Sequence, residues 1–155
     1  MLNDDPKWCP SSRPTMAGAV AFGVVGADQG RPVTSYLDRN TPAAQVAGDF
    51  KRLYGQKSVD VTEVVRFASP CAGSQCRHFD EGSCTLAVRI VQNLETVVDA
   101  LPSCTIRGRC RWWQQEGKAA CYRCPQIRTD DRNPSEMLRQ VAQNGTPAVD
   151  QLPPR

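Results

Sequence analysis

The chain opens on polar, proline-broken residues and then turns apolar twice in quick succession. The runs are AVAFGVVG and PVTSYL, separated by Ala27-Asp28-Gln29-Gly30-Arg31. Two apolar runs around a short glycine-containing loop predict a β-hairpin. Val20, Phe22 and Val24 alternate with small residues, as a half-buried strand requires. Thr41-Pro42 then reads as a helix start, with threonine as N-cap and proline at the first helical position. That helix should run to about Tyr54 and stop at Gly55. Val59 to Phe67 (VDVTEVVRF) is β-branched and partly alternating, which predicts a third strand.

The clearest helical pattern follows Ser83. Leu86, Ala87, Ile90, Val91, Leu94, Val97 and Val98 recur at three- and four-residue steps, so a core-facing helix over 84–98 is expected. A short helix is expected over Trp112 to Glu116. A last amphipathic helix should start at Asn133-Pro134, run through Met137, Leu138 and Val141, and end near Gly145. The pattern divides the chain into an extended arm (1–16), a small α/β segment (17–69), a cysteine-rich segment (70–128), and a C-terminal helix with a flexible tail (129–155). The expected fold class is α+β: a small mixed domain with an N-terminal β-hairpin and a helix-rich, cysteine-rich C-terminal half holding two metal sites.

Composition explains why metals enter at all. Of the 155 residues only 6% are aromatic, and there are twelve prolines and eleven glycines, so burial alone gives a thin core. No stretch is long and apolar enough to span a membrane. Ala17 to Ala27 resembles the middle of a signal peptide, but the acidic, proline-rich residues before it are a poor lead-in. The expectation is therefore a cytoplasmic chain, in which clustered thiols read as metal ligands. In a secreted chain the same eight cysteines would read as four disulfides.

The cysteines contain a repeat. CAGSQCRHFDEGSC (Cys71 to Cys84) and CTIRGRCRWWQQEGKAAC (Cys104 to Cys121) share an order. Each has a cysteine, four or five residues, Cys-Arg, two rings, Glu-Gly and a third cysteine. Cys71, Cys76 and Cys84 thus match Cys104, Cys110 and Cys121. A duplicated unit implies two equivalent sites of three ligands plus one. Cys124, in CYRCP, completes the second set. Cys9, in the arm, completes the first if the arm folds back. His78, the only histidine, is the alternative fourth ligand, although its counterpart Trp112 cannot ligate. A three-cysteine site with one open iron, and crossed ligation between the repeats, also fit the spacing.

Structural zinc sites usually use two close cysteine pairs, and here only Cys121–Cys124 is one. The other gaps within the repeats, of four, five, seven and ten residues, suit a larger object. The expected cofactors are therefore two iron–sulfur clusters, with 4Fe–4S preferred, and two zinc ions as the alternative. The compact ferredoxin run is absent.

No glycine-rich phosphate loop or Ser/His/Asp set is present, so an electron-transfer or redox accessory protein is expected rather than an enzyme. The alternatives are a zinc-stapled interaction module and a cluster-based sensor that binds nucleic acid. Arg107, Arg109, Arg111, Lys118, Arg123 and Arg128 crowd the second repeat and offer a docking patch for an acidic redox partner. Trp112 and Trp113 among them would suit single-stranded nucleic acid, but the net charge of +3 argues against it.

Overall fold

A computed structural model describes residues 6–55 and 58–142. The protein is a small mixed α+β domain built on one antiparallel sheet of four strands. These are β1 (Trp8–Ser12), β2 (Val20–Asp28), β3 (Arg31–Pro42) and β4 (Val65–Pro70), in spatial order β1-β4-β2-β3. The expected hairpin is β2–β3, with Asp28 opposite Arg31. Gln29 and Gly30 turn it with φ of 52° and 81°, the left-handed geometry a two-residue hairpin loop needs. The register shifts between Ala21 and Gly23. Gly23 is required at that bulge: a Cβ there would lie 2.7 Å from Thr34 Cγ2.

The sheet is covered on both faces, and strand alternation sorts its side chains. Val65 and Phe67 of β4 face a cluster with Ala19, Ala21 and Ala43, covered by α1 (Ala43–Tyr54) and α2 (Val61–Val64). Phe22 and Ala68 belong to the cluster on the other side, with Ala87, Ile90, Trp112 and Ala120. That second face carries the cysteine-rich half: two-residue strands β5 (Phe79–Asp80) and β6 (Ser83–Cys84), then α3 (Thr85–Asn93), α4 (Arg111–Glu116), α5 (Lys118–Cys121) and α6 (Glu136–Ala142).

Three expectations are corrected. Thr41 is not an N-cap: β3 continues pairing to Pro42, opposite Val20, and α1 begins at Ala43, whose N–H bonds Ala19 O. Val59 to Phe67 is not one strand. The Asp60 N–H donates to Glu63 Oε2 at 2.6 Å, a capping contact that turns Val61–Val64 into a short helix before β4 starts. The helix after Ser83 stops at Asn93, because the Val97 N–H is taken by Tyr122 O instead of a helical carbonyl. Within the expected extended arm, Trp8–Ser12 is an edge strand paired to β4.

The last helix begins at Glu136, not Pro134, with Ser135 Oγ accepting from the Leu138 N–H. The expected end near Gly145 and the flexible tail lie outside the described residues. Among the described residues, no helix is long and apolar enough to cross a membrane.

Candidate metal centre

Pairing of β1 with β4 decides where Cys9 goes. Cys9 sits opposite Ser69, and the Cys71 N–H bonds Lys7 O at 2.8 Å, so residues 62 positions apart meet at one sheet edge. A 3-10 turn, Gly73–Gln75, leads to Cys76. The β5–β6 hairpin then sets Phe79 opposite Cys84, turned by Glu81 and Gly82 at φ 49° and 82°. Cys9 lies within electrostatic range of Cys71 and Cys84, and Cys84 of Cys76. These four make up a candidate first tetrad.

The second tetrad repeats the opening of the first. Cys104 is followed by a 3-10 turn, Arg107–Arg109, and then Cys110. The units diverge after that. Where the first uses Glu-Gly to turn a hairpin, the second uses Gly117, at φ 68°, to end α4 and start α5, which delivers Cys121 and then Cys124. Cys104 is in range of Cys121 and Cys124, and Cys110 of Cys104 and Cys124. All four line one small cavity, with Pro10, Phe22, Tyr36 and Trp112 among its walls.

All eight cysteines are free thiols, and each of the eight sulfurs accepts a hydrogen bond. Six take it from the backbone N–H two residues on. Ser11, Gly73 and His78 donate to Cys9, Cys71 and Cys76, each at 3.4 Å. Leu86, Ile106 and Trp112 donate to Cys84, Cys104 and Cys110. Cys121 takes its bond from the Arg107 side chain. Cys124 takes one from Arg66 Nη1 at 3.1 Å and another from Tyr36. Such donors stabilise a thiolate over a thiol. Burial opposes them: it pushes Cys9 up to about 11 and Cys110 up to about 12, and raises Cys84, Cys104 and Cys121. Bound metal reverses that balance, because its charge lies directly on the sulfurs.

Arg66 is the clearest electrostatic demand of the site. It lies on β4 between Val65 and Phe67, so alternation turns it toward the cysteine face, opposite Gly23. It is 0% exposed. Its Nη1 donates to Cys124 O at 2.7 Å and Cys124 Sγ, its Nη2 donates to Pro10 O at 3.0 Å, and its guanidinium lies over the Phe22 ring. Its Nε has no partner. None of these contacts is a carboxylate. Burial works against its charge, yet Cys124, Tyr36 and Cys110 outweigh that and hold its pKa above the ordinary value. A guanidinium is permanently charged, and a buried charge left unbalanced costs several kcal/mol, of order 3–5. The second tetrad therefore needs to carry negative charge.

The two tetrads share a wall. Trp112, 2% exposed, gives its backbone N–H to Cys110 and its indole N–H to Cys84. Gln115, one turn on, brackets Cys84 from both sides, with Oε1 accepting from its N–H and Nε2 donating to its carbonyl. On β1, Trp8 bridges to Cys110 and Pro10 lines the second cavity, while Cys9 between them joins the first tetrad.

His78 uses its backbone N–H on Cys76, and its ring Nδ1 lies 2.8 Å from Arg89 Nη2. Arginine only donates, so Nδ1 accepts and the ring proton sits on Nε2. Arg89 is itself lowered to about 10 by burial.

Of the expected basic patch, only Arg109 and Lys118 are exposed. Arg107 lies over the Trp113 ring and bonds Pro102 O, Arg111 lies over Phe79, and Arg123 bonds Leu94 O and Ala119 O. These three arginines are half-buried and make their contacts within the fold. Arg66, Tyr36 and the dual role of Trp112 were not read from the sequence. Arg66 sits in a β-branched run that gave no sign of which face would be covered.

Among the described residues, no three histidine, cysteine or carboxylate side chains stand in position to hold one metal ion. The four cysteines of the second tetrad line one cavity, and sulfur donors beside the guanidinium of Arg66 suit an anionic group. No protein-family model matches the chain, and neither a curated protein nor a solved structure matches it.

Proposed function

We propose that this chain is an iron–sulfur protein that holds one cluster on Cys9, Cys71, Cys76 and Cys84 and a second on Cys104, Cys110, Cys121 and Cys124. Its role is electron transfer, or redox support of a partner enzyme. Four-iron clusters are preferred. The observation that carries the reading is the fully buried Arg66 beside Cys124, a fixed positive charge whose nearest anionic candidates are thiolates. Bound clusters supply one-electron redox chemistry, tuned by charge, burial and hydrogen bonds to sulfur. The chain's own residues hold the thiolates, donate N–H groups to them and exclude water with Trp112, Phe22 and Pro10.

The zinc-stapled module is the rival reading, since four thiolates also suit zinc. Four thiols line one cavity and only Cys121–Cys124 is a close pair in sequence, which favours the larger group. The sensor reading needed rings free to stack on bases, but Trp112 is in the core and Trp113 is covered by Arg107. Protein purified without oxygen decides between metals. Brown protein with about eight irons and matching sulfide per chain is expected. Colourless protein with two zinc ions would overturn the proposal.

A further inference from the structure

The hydrogen bonds to sulfur differ in kind between the tetrads. Among the described residues, the first tetrad's donors are neutral: backbone N–H groups of Ser11, Gly73, His78, Leu86 and Ala87, the Ser12 hydroxyl and the Trp112 indole. The second receives a guanidinium directly, Arg66 Nη1 on Cys124 at 3.1 Å, and has Arg107 near Cys121. Arg89, a buried cation near the first tetrad, bonds His78 Nδ1, Thr85 and Val141 O. It acts on the first tetrad from one residue further out.

Adding an electron adds one negative charge, and a cation in contact favours that state more strongly than a neutral donor or a more distant cation. We infer that the two sites are unequal by construction, the second tetrad having the higher potential because Arg66 is locked against Cys124, with Trp112 spanning from one site to the other. This rests on the two-cluster reading. The first electron supplied by a one-electron reductant such as dithionite then resides at the second tetrad; no bond forms or breaks and no proton moves. An electron entering at the first tetrad runs downhill to the second, so the pair is directional. Arg66 is a positioning residue here: it acts on the potential through Cys124.

The test is a dithionite titration of the intact, anaerobically purified chain, followed by visible absorbance and electron paramagnetic resonance, with iron and sulfide counted on each sample. Two waves are expected in the parent protein. Arg66→Gln should lower the higher wave by at least tenfold in the reduction equilibrium, about 59 mV for one electron, and leave the lower wave in place. Arg66→Lys, which keeps the charge, should restore part of that shift. Trp112→Phe, which removes the indole donor to Cys84, should move the lower wave. If Arg66→Gln loses its second cluster, iron should fall by half and the surviving wave should be the lower one.

A fully loaded Arg66→Gln protein whose lower wave moves, or neither wave, overturns the ordering; so does survival of the higher wave alone. A parent protein without iron overturns the two-cluster reading itself, a result distinct from either.

Discussion

Cys9→Ala isolates the most distant contact in the site. Cys9 joins Cys71 across 62 positions of chain, and the sheet pairing of β1 with β4 sets them at one edge. The two tetrads share no cysteine, so the variant should lose the first cluster and keep the second. Iron should fall from about eight to about four per chain, with sulfide falling in step. Stability should fall as well. A bond through metal between residues 9 and 71 closes a long loop, and a cross-link of that span is worth about 4 kcal/mol in the unfolded chain's lost freedom. That figure is an upper value, because β1 keeps its ladder to β4 and the Pro10 carbonyl keeps its bond to Arg66. Anaerobic guanidinium unfolding followed by far-ultraviolet circular dichroism measures it, alongside iron analysis. Full iron content with unchanged unfolding would refute Cys9 as a ligand. His78→Ala is the companion: it should keep all of its iron, since the histidine ring faces Arg89.

Other outcomes test the frame that holds the site. Gly23→Ala drives a Cβ to 2.7 Å from Thr34 Cγ2, and Thr34 Oγ1 donates to Pro125 O beside Cys124. A cost of about 1–3 kcal/mol in thermal unfolding is expected, with a perturbed second-site spectrum; an unchanged melting curve would contradict the crowding. Phe67→Ala empties a 0% exposed position on the α1 face, and about 3–5 kcal/mol should be lost in denaturant titration, with both clusters' spectra retained in the folded protein. Asp130 is held below the usual carboxylate value by hydrogen bonds from Arg13 and Thr62. A depressed carboxyl stabilises the fold above its unfolded value of 3.8, and that contribution is lost as pH falls through the folded value. The pair is partly exposed, so screening limits its worth to about 1 kcal/mol or less. The advantage of the parent over Asp130→Asn in thermal unfolding should therefore be present at pH 7 and shrink below pH 3.8; a difference independent of pH would remove the carboxylate from the argument.

Several elements were legible along the chain because their causes are local. The β2–β3 hairpin follows from two apolar runs and a glycine where the turn needs φ of 81°. The start and inner face of α3 follow from the spacing of Ala87, Ile90 and Leu94. The repeat has a structural counterpart in its opening half, where each unit runs from a cysteine through a 3-10 turn to a second cysteine. Local competition explains two misreadings. Val61–Val64 looked like strand by residue type, but the carboxylate of Glu63 reached the Asp60 N–H and made a helical turn. Thr41-Pro42 looked like a helix start, but the ladder to β2 held both residues extended.

The available chemistry is written along the chain: eight thiols, their grouping into three plus three, and the two left over. Those depend on residue identity and order alone. The approach of Cys9 to the first repeat is a matter of folding, because it depends on β1 pairing with β4. The charge at the second tetrad is likewise a tertiary fact. Arg66 is distant in sequence from Cys124, and only a sheet covered on both faces turns a strand arginine into a buried one, 3.1 Å from that sulfur.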